Sequence, residues 1–188
     1  RERRMSDFMV NVLNELLMDE HGLYSLPCDH CNEVFPGILV GDARERKRDF
    51  AEPPSAGRDA RAERGHGTTL MHVETGAEFY EGSGIAYHGV PACDLDSYDL
   101  GKFFEEGAEF IEKALSHPKA ACSFTAARAY SRSPSLVVAF LMLRRGRDVQ
   151  SALRHVRSRR AIGPNDGFLR QLLHLECRLA EQRKASAD

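Results

Sequence analysis

Residues 130–146 read Tyr130-Ser131-Arg132-Ser133-Pro134 and then SLVVAFLMLRRG, and this stretch decides the fold. Its second part is an apolar run that stops at Gly146, the pattern of a helix closed by a glycine cap. Where such a helix begins, backbone N–H groups converge and the helix dipole presents its positive end, so an oxyanion is well held there. Arg132 adds a planar guanidinium able to grip two phosphate oxygens at once, and the Ser133 hydroxyl can reach into the same loop. Taken alone, SRSP also fits a solvated turn, so its meaning depends on its surroundings.

Upstream, GIAYHGVPACD reads as a strand leaving on a loop, and that loop carries Asp94. A carboxylic acid between strand and helix, upstream of the arginine loop, can protonate the leaving oxygen of a phosphoester. Asp96 and Asp99 compete for this role, and a helix cap or a solvated charge is the plain alternative for each. Asp99 can cap the next helix, whose expected inner face is Leu100, Phe103, Phe104, Gly107, Ile111 and Leu115. A stretch of small residues, AACSFTAARA at 120–129, leads from there into the arginine loop.

Nearer the N-terminus, Met5 onward predicts a short helix capped by Ser6 and Asp7, with Phe8, Val12 and Leu16 on one face. Val34-Phe35 and Ile38-Leu39-Val40 predict two strands around a Pro-Gly turn. From Arg44 the character changes. Phe50 is the only large apolar residue before Leu70, charges of both signs alternate, and no helical or strand period survives, so residues 44–68 are expected to be disordered or irregular. After Gly146, two further helices are expected, one carrying Val149, Leu153 and Val156, the other Phe168, Leu172, Leu175 and Leu179. Strands early, helices late and a phosphate-loop-like turn between strand and helix give an α/β fold, a central sheet flanked by helices in one domain.

The bulk numbers agree. A chain of 188 residues with 42% hydrophobic and 29% charged content suits one soluble domain. Its net charge of -2 gives no reason to expect nucleic acid or an anionic membrane as a partner. No apolar run reaches spanning length, and no signal-peptide core is visible at the N-terminus. Residues 1–4 precede Met5 and read as an upstream extension; residues 5–182 form the expected domain and 183–188 a polar tail. Cys28, Cys31, Cys93, Cys122 and Cys177 give no even disulfide framework, so free thiols in a reducing compartment, cytoplasmic or nuclear, are expected. Cys28 and Cys31 form a CxxC, but no second ligand pair follows at zinc-like spacing, so no metal and no cofactor is expected.

The strings YSLPCDHCNEVFPGILVGDA, HVETGAEFYEGSGIAYHGV, DLGKFFEEGAEFIEKAL and YSRSPSLVVAFLMLRRGRDVQSALRHVRSRRAIGPNDGFLRQL together resemble the dual-specificity protein phosphatases of the VHR type. The likeness covers residues 5–43, 70–118 and 130–182, in order. The resemblance implies a cysteine phosphatase of phosphotyrosine and phosphothreonine, with phosphorylated proteins, MAP kinases among them, as partners. The family pattern is HCxxGxSRS. Carried over, the phosphate-gripping arginine is Arg132, the following serine Ser133 and the general acid Asp94. Tyr130, Ser131 and Ala129 belong to the phosphate loop, and Met71 and His72 resemble residues of the substrate cleft.

The nucleophile position, however, is Ala126, the preceding histidine is Thr125, and the loop glycine is Ala129. Alanine has no lone pair to attack phosphorus, so the covalent route is closed in the chain as written. Cys122, four residues earlier, is expected on the strand and not in the loop. If position 129 needs a positive φ, alanine resists it where glycine does not. Arg132 survives, so phosphate binding without turnover, a pseudophosphatase, is the alternative.

Both departures from the family keep its length while losing its character. One codon choice for AACSFTAARA, read one nucleotide out, encodes GRVFVHCREG, a family-like strand and nucleophile loop. Residues 55–65, SAGRDARAERG, similarly yield ALGVTHVLNA. Frame slips that replaced two segments of an active phosphatase account for both.

Overall fold

Pro36 and Gly37 turn the chain between β1 (Cys31–Phe35) and β2 (Ile38–Asp42), the antiparallel hairpin expected from the sequence. The computed structural model describes residues 2–42, 59–64, 86–116, 121–126 and 129–186. Three further strands, β3 (Asp59–Arg64), β4 (Ala86–Pro91) and β5 (Ala121–Ala126), complete a sheet of order β1-β2-β5-β3-β4. β5 lies in its middle, parallel to β2 on one side and to β3 on the other, and β3 is parallel to β4.

Of residues 44–68, expected to be irregular, those at 59–64 are described, and their backbone forms β3. A ladder uses only main-chain donors and acceptors, so the edges of β4 and β5 can pair with this segment despite its composition. Ala60 pairs with Cys122 and Arg61 with Ser123. Such a strand between two parallel neighbours normally carries a near-continuous apolar run.

Helices pack on this sheet, as the sequence predicts: α1 (Glu2–Leu17), α2 (Phe104–Leu115), α3 (Arg132–Arg145), α4 (Val149–Arg159) and α5 (Asp166–Ala185). In α3, Leu136 to Met142 are all buried, because α2, α4, α5 and β5 surround it. Gly146 closes it in the left-handed conformation at φ 65°. Val149, Leu153 and Val156 in α4, and Phe168, Leu172 and Leu175 in α5, are buried as expected. Asp148 and Asn165 cap these two helices through their side chains.

Two local expectations are corrected. Helix α1 starts at Glu2, so Ser6 and Asp7 lie inside it and do not cap it. Its buried row is Val10, Leu13 and Leu17, while Phe8 is 63% exposed. Apolar residues cover more than one face of α1, and polar contacts to α5 fix its rotation: Asp7 pairs with Arg170 at 3.3 Å, and Asn14 donates to Asp166 at 2.9 Å. Asp99 does not cap α2, which is entered through one 3-10 turn, Gly101–Phe103. The donor at its start, Gly101 N–H, goes instead to Gln171 Oε1 on α5, at 2.6 Å. Among the described residues, no helix is long and apolar enough to cross a membrane.

Candidate functional site

The central strand β5 carries the chain to Ala126, opposite Asp42 of β2, and α3 begins at Arg132. Residues 127 and 128 lie outside the described residues. Between them and α3, Ala129 is fully buried with a φ of 45°. This is left-handed backbone, which costs an L-residue with a Cβ about 1–2 kcal/mol. Its carbonyl accepts from Arg160 Nε at 3.4 Å, while Arg160 Nη1 donates to Asp29 O at 2.9 Å and to Asn32 Oδ1 at 2.7 Å. Arg160, 3% exposed, thus braces the loop against the segment leading into β1.

Tyr130 accepts at its carbonyl from Gly163 N–H at 2.8 Å and donates its phenol to Ser25 O at 3.2 Å. Burial pushes its phenol pKa up, against the opposing pull of the Arg157 charge. Its ring lines a cavity of about 300 Å³ together with Leu26, Pro27, Cys28, Asp29 and Arg160.

Arg132, half-buried, donates from Nη1 to Ala92 O at 2.8 Å. Its Nε is buried and makes no hydrogen bond among the described residues. A buried guanidinium N–H without an acceptor is costly, and an oxyanion in the loop is an acceptor that would remove the cost. Ser133 is buried in the first turn of α3, and the buried Ser135 hydroxyl donates to Ser131 O at 2.7 Å.

Asp94 lies on the exposed loop after β4 and reaches this loop directly. Ser131 Oγ donates to Asp94 Oδ1 at 2.7 Å, and Asn165 Nδ2 donates to the same oxygen at 2.9 Å. Asn165 N–H also donates to Ser131 Oγ at 3.3 Å. Asp94 is therefore brought to the Ser131–Ser133 segment that carries Arg132. Asp96 and Asp99, the competing carboxylates, make no hydrogen bond to this cluster among the described residues.

Cys122 is on β5, opposite Ile38 and Ala60. At about 3.3 Å per strand residue its backbone lies roughly 13 Å before that of Ala126, so it is not in the loop. Met71 and His72 lie outside the described residues. Cys28 and Cys31 form no disulfide, and no group of three His, Cys, Asp or Glu among the described residues could hold a metal ion.

Sequence reasoning missed Arg160 and Asn165. Arg160 sits in RSRRAIGP, a charge run that reads as solvated. The Asn165-Asp166 pair before an apolar row signals a helix start, but nothing local announces a bond to a residue 71 positions earlier.

Over residues 65–178 the chain matches the family model of the dual specificity phosphatase catalytic domain. The match spans more than half of the chain, and the protein belongs to that family. Among solved structures it is similar to human DUSP28, at 24% identity and a TM-score of 0.66, covering 83% of this chain and 99% of that one. A mouse putative dual specificity phosphatase, solved with zinc tungstate, is similar at 24% identity and a TM-score of 0.67, over 82% of this chain and 91% of that one. The human tyrosine phosphatase-like serine/threonine/tyrosine-interacting protein gives 21% identity and a TM-score of 0.67, over 80% and 97%. At these identities the likeness is one of fold.

Proposed function

We propose that this protein is, by lineage, a VHR-type phosphatase of phosphotyrosine and phosphothreonine in signalling proteins such as MAP kinases, and that the chain as written is inactive. One observation carries the lineage: the loop at the start of α3 presents the unspent Arg132 Nε, with Asp94 bonded to Ser131 beside it. With a cysteine at position 126, its thiolate attacks phosphorus; the S–P bond forms as the P–O bond to the substrate breaks, and Asp94 gives its proton to the departing oxygen. Water then attacks the phosphocysteine and gives a proton to the Asp94 carboxylate. The S–P bond breaks and inorganic phosphate leaves. Arg132 holds the phosphoryl oxygens through both steps.

Ala126 removes this route. Loss of a nucleophile costs about six powers of ten in turnover. Two misfits support replacement of residues 120–129 by a frame slip. Ala129 holds a φ of 45° in a loop where the family has glycine, and Ser123 on β5 is 1% exposed with a hydroxyl that makes no hydrogen bond among the described residues. In the shifted frame both are replaced, by glycine and by an apolar residue.

Resequencing the transcript across the codons for Arg44–Leu70 and Lys119–Tyr130 tests the frame directly. The biochemical counterpart is the full chain carrying GRVFVHCREG at 120–129, assayed on p-nitrophenyl phosphate. Turnover is expected there and not in the chain as written; no turnover in the replaced chain rejects the lineage reading. The intact Arg132 favours a second reading, a pseudophosphatase that holds phosphoproteins without hydrolysing them. Its signature is phosphopeptide binding by the chain as written that is lost in Arg132→Ala.

A further inference from the structure

We infer that Asn165 is a positioning residue, which seats Asp94 beside the phosphate loop and fixes which carboxylate oxygen carries the transferable proton. This rests on the phosphatase reading above. Asn165 uses all of its polar groups. Its Oδ1 accepts from Phe168 N–H at 2.9 Å and caps α5; its Nδ2 donates to Asp94 Oδ1 at 2.9 Å; its backbone N–H donates to Ser131 Oγ at 3.3 Å. Ser131 Oγ closes the ring by donating to the same Asp94 oxygen at 2.7 Å.

Oδ1 therefore takes two donors, and Oδ2 takes none among the described residues. An oxygen already accepting two N–H or O–H bonds has no use for a proton of its own, so the acid proton belongs on Oδ2. A leaving oxygen must approach that atom. The carboxyl rotation, which would otherwise be free on an exposed loop, is fixed by a side chain that is itself held by a helix cap.

The backbone of the loop is seated on the same helix turn. A Cβ built at Gly167 would lie 1.9 Å from the Asp96 carbonyl oxygen, so the first turn of α5 touches the acid loop with nothing between them. A little further along α5, Gln171 Nε2 donates to Tyr98 O at 2.8 Å while its Oε1 accepts from Gly101. The loop from Asp94 to Gly101 is thus laid along α5, and Asn165 is the point where that platform meets the phosphate loop.

The plain alternative is that Asn165 serves only as a cap. Asp and Ser cap helices as well as Asn does, yet neither can donate a hydrogen bond to Asp94 as the amide does: Asp has no donor when ionised, and Ser is too short. Asn165→Asp and Asn165→Ser therefore separate the two roles. In the chain as written, both variants should melt within about 3 °C of the parent, because the cap is kept. The Cys93 thiol, half-buried and next to Asp94, should be alkylated by iodoacetamide about tenfold faster, read on its own peptide by mass spectrometry.

In the chain carrying GRVFVHCREG at 120–129, turnover of phenyl phosphate, a poor leaving group, should fall at least ten times further than turnover of 2,4-dinitrophenyl phosphate, a good one. A cap-only residue moves neither ratio. Unchanged Cys93 alkylation in both variants, or equal losses on the two esters, overturns the assignment. Should the replaced parent chain show no turnover, the phosphatase reading fails, and the Cys93 rates still decide whether Asn165 seats the loop.

Discussion

Ala129 is buried, its carbonyl is held by Arg160, and its φ of 45° is imposed by the strand and helix on either side of it. Glycine relieves the Cβ contact that makes this conformation costly, so Ala129→Gly is expected to raise stability by about 1 kcal/mol in a urea melt. The buried Ser123 hydroxyl forgoes its hydrogen bonds with water and gains none in return among the described residues. Ser123→Val is accordingly expected to stabilise by roughly 1–2 kcal/mol, measured in the same way; a loss in both variants would show that the segment fits its surroundings after all. At this scale the sequence was informative where chemistry is carried by residue type at fixed spacing. Arg132, Ser133 and Asp94 could be named from the residues and the resemblance, and the structure brings them together. Asn165 and Arg160 could not, because their partners, Asp94 and Asn32, lie far away in the chain.

Element boundaries follow packing as much as local signal. That α1 is a helix was legible, but the row it buries was not, because its rotation was set by Asp7 and Asn14 meeting Arg170 and Asp166, contacts that only the folded chain contains. Of the caps, Gly146 could be named from the sequence and Asp148 was missed; Asp148 accepts from Ser151 N–H at 2.8 Å, and Asp148→Ala should cost about 1 kcal/mol, read as a lower urea midpoint. The largest conflict between sequence and element is β3. Arg61 stands opposite Ser123 of β5 and Tyr87 of β4, in a strand with a neighbour on both sides. Arg61→Val is expected to raise the melting temperature by a few degrees, since β-branched apolar residues suit such a position. A lowered melting temperature would mean that residues 59–64 are not paired there.

The α/β architecture itself was the most legible level, because it rests on summed patterns and no single contact decides it. Its pH dependence is less evident from sequence. His155 lies against Phe35, ring centroids 5.8 Å apart, with its Nε2 buried and without a hydrogen bond among the described residues. Burial lowers its pKa, the Arg147 and Arg159 charges lower it further, and a bond with the Val34 backbone opposes them in part. The folded protein therefore favours the neutral ring. The stability this contributes is present above the ordinary histidine value of 6.5 and is lost as pH falls through the lower value of the folded state. Thermal melts between pH 7.5 and 5 should show the parent losing stability more steeply than His155→Gln. Parallel curves would remove His155 from the account.

The place of β5 has a consequence for synthesis. It is the last of these strands to be made and lies between β2 and β3 in the sheet. Until the ribosome has passed residue 126, the β1–β2 hairpin and the β3–β4 pair are separate ribbons, each with an open hydrogen-bonding edge. Open edges recruit other chains, and three of the five helices, α3, α4 and α5, are encoded later still. A nascent chain stalled before β5 is therefore expected to expose these edges, and a chain released there is expected to aggregate more readily than the full one. Residues 121–126, within the segment for which we propose a frame slip, are the ones that join the two ribbons.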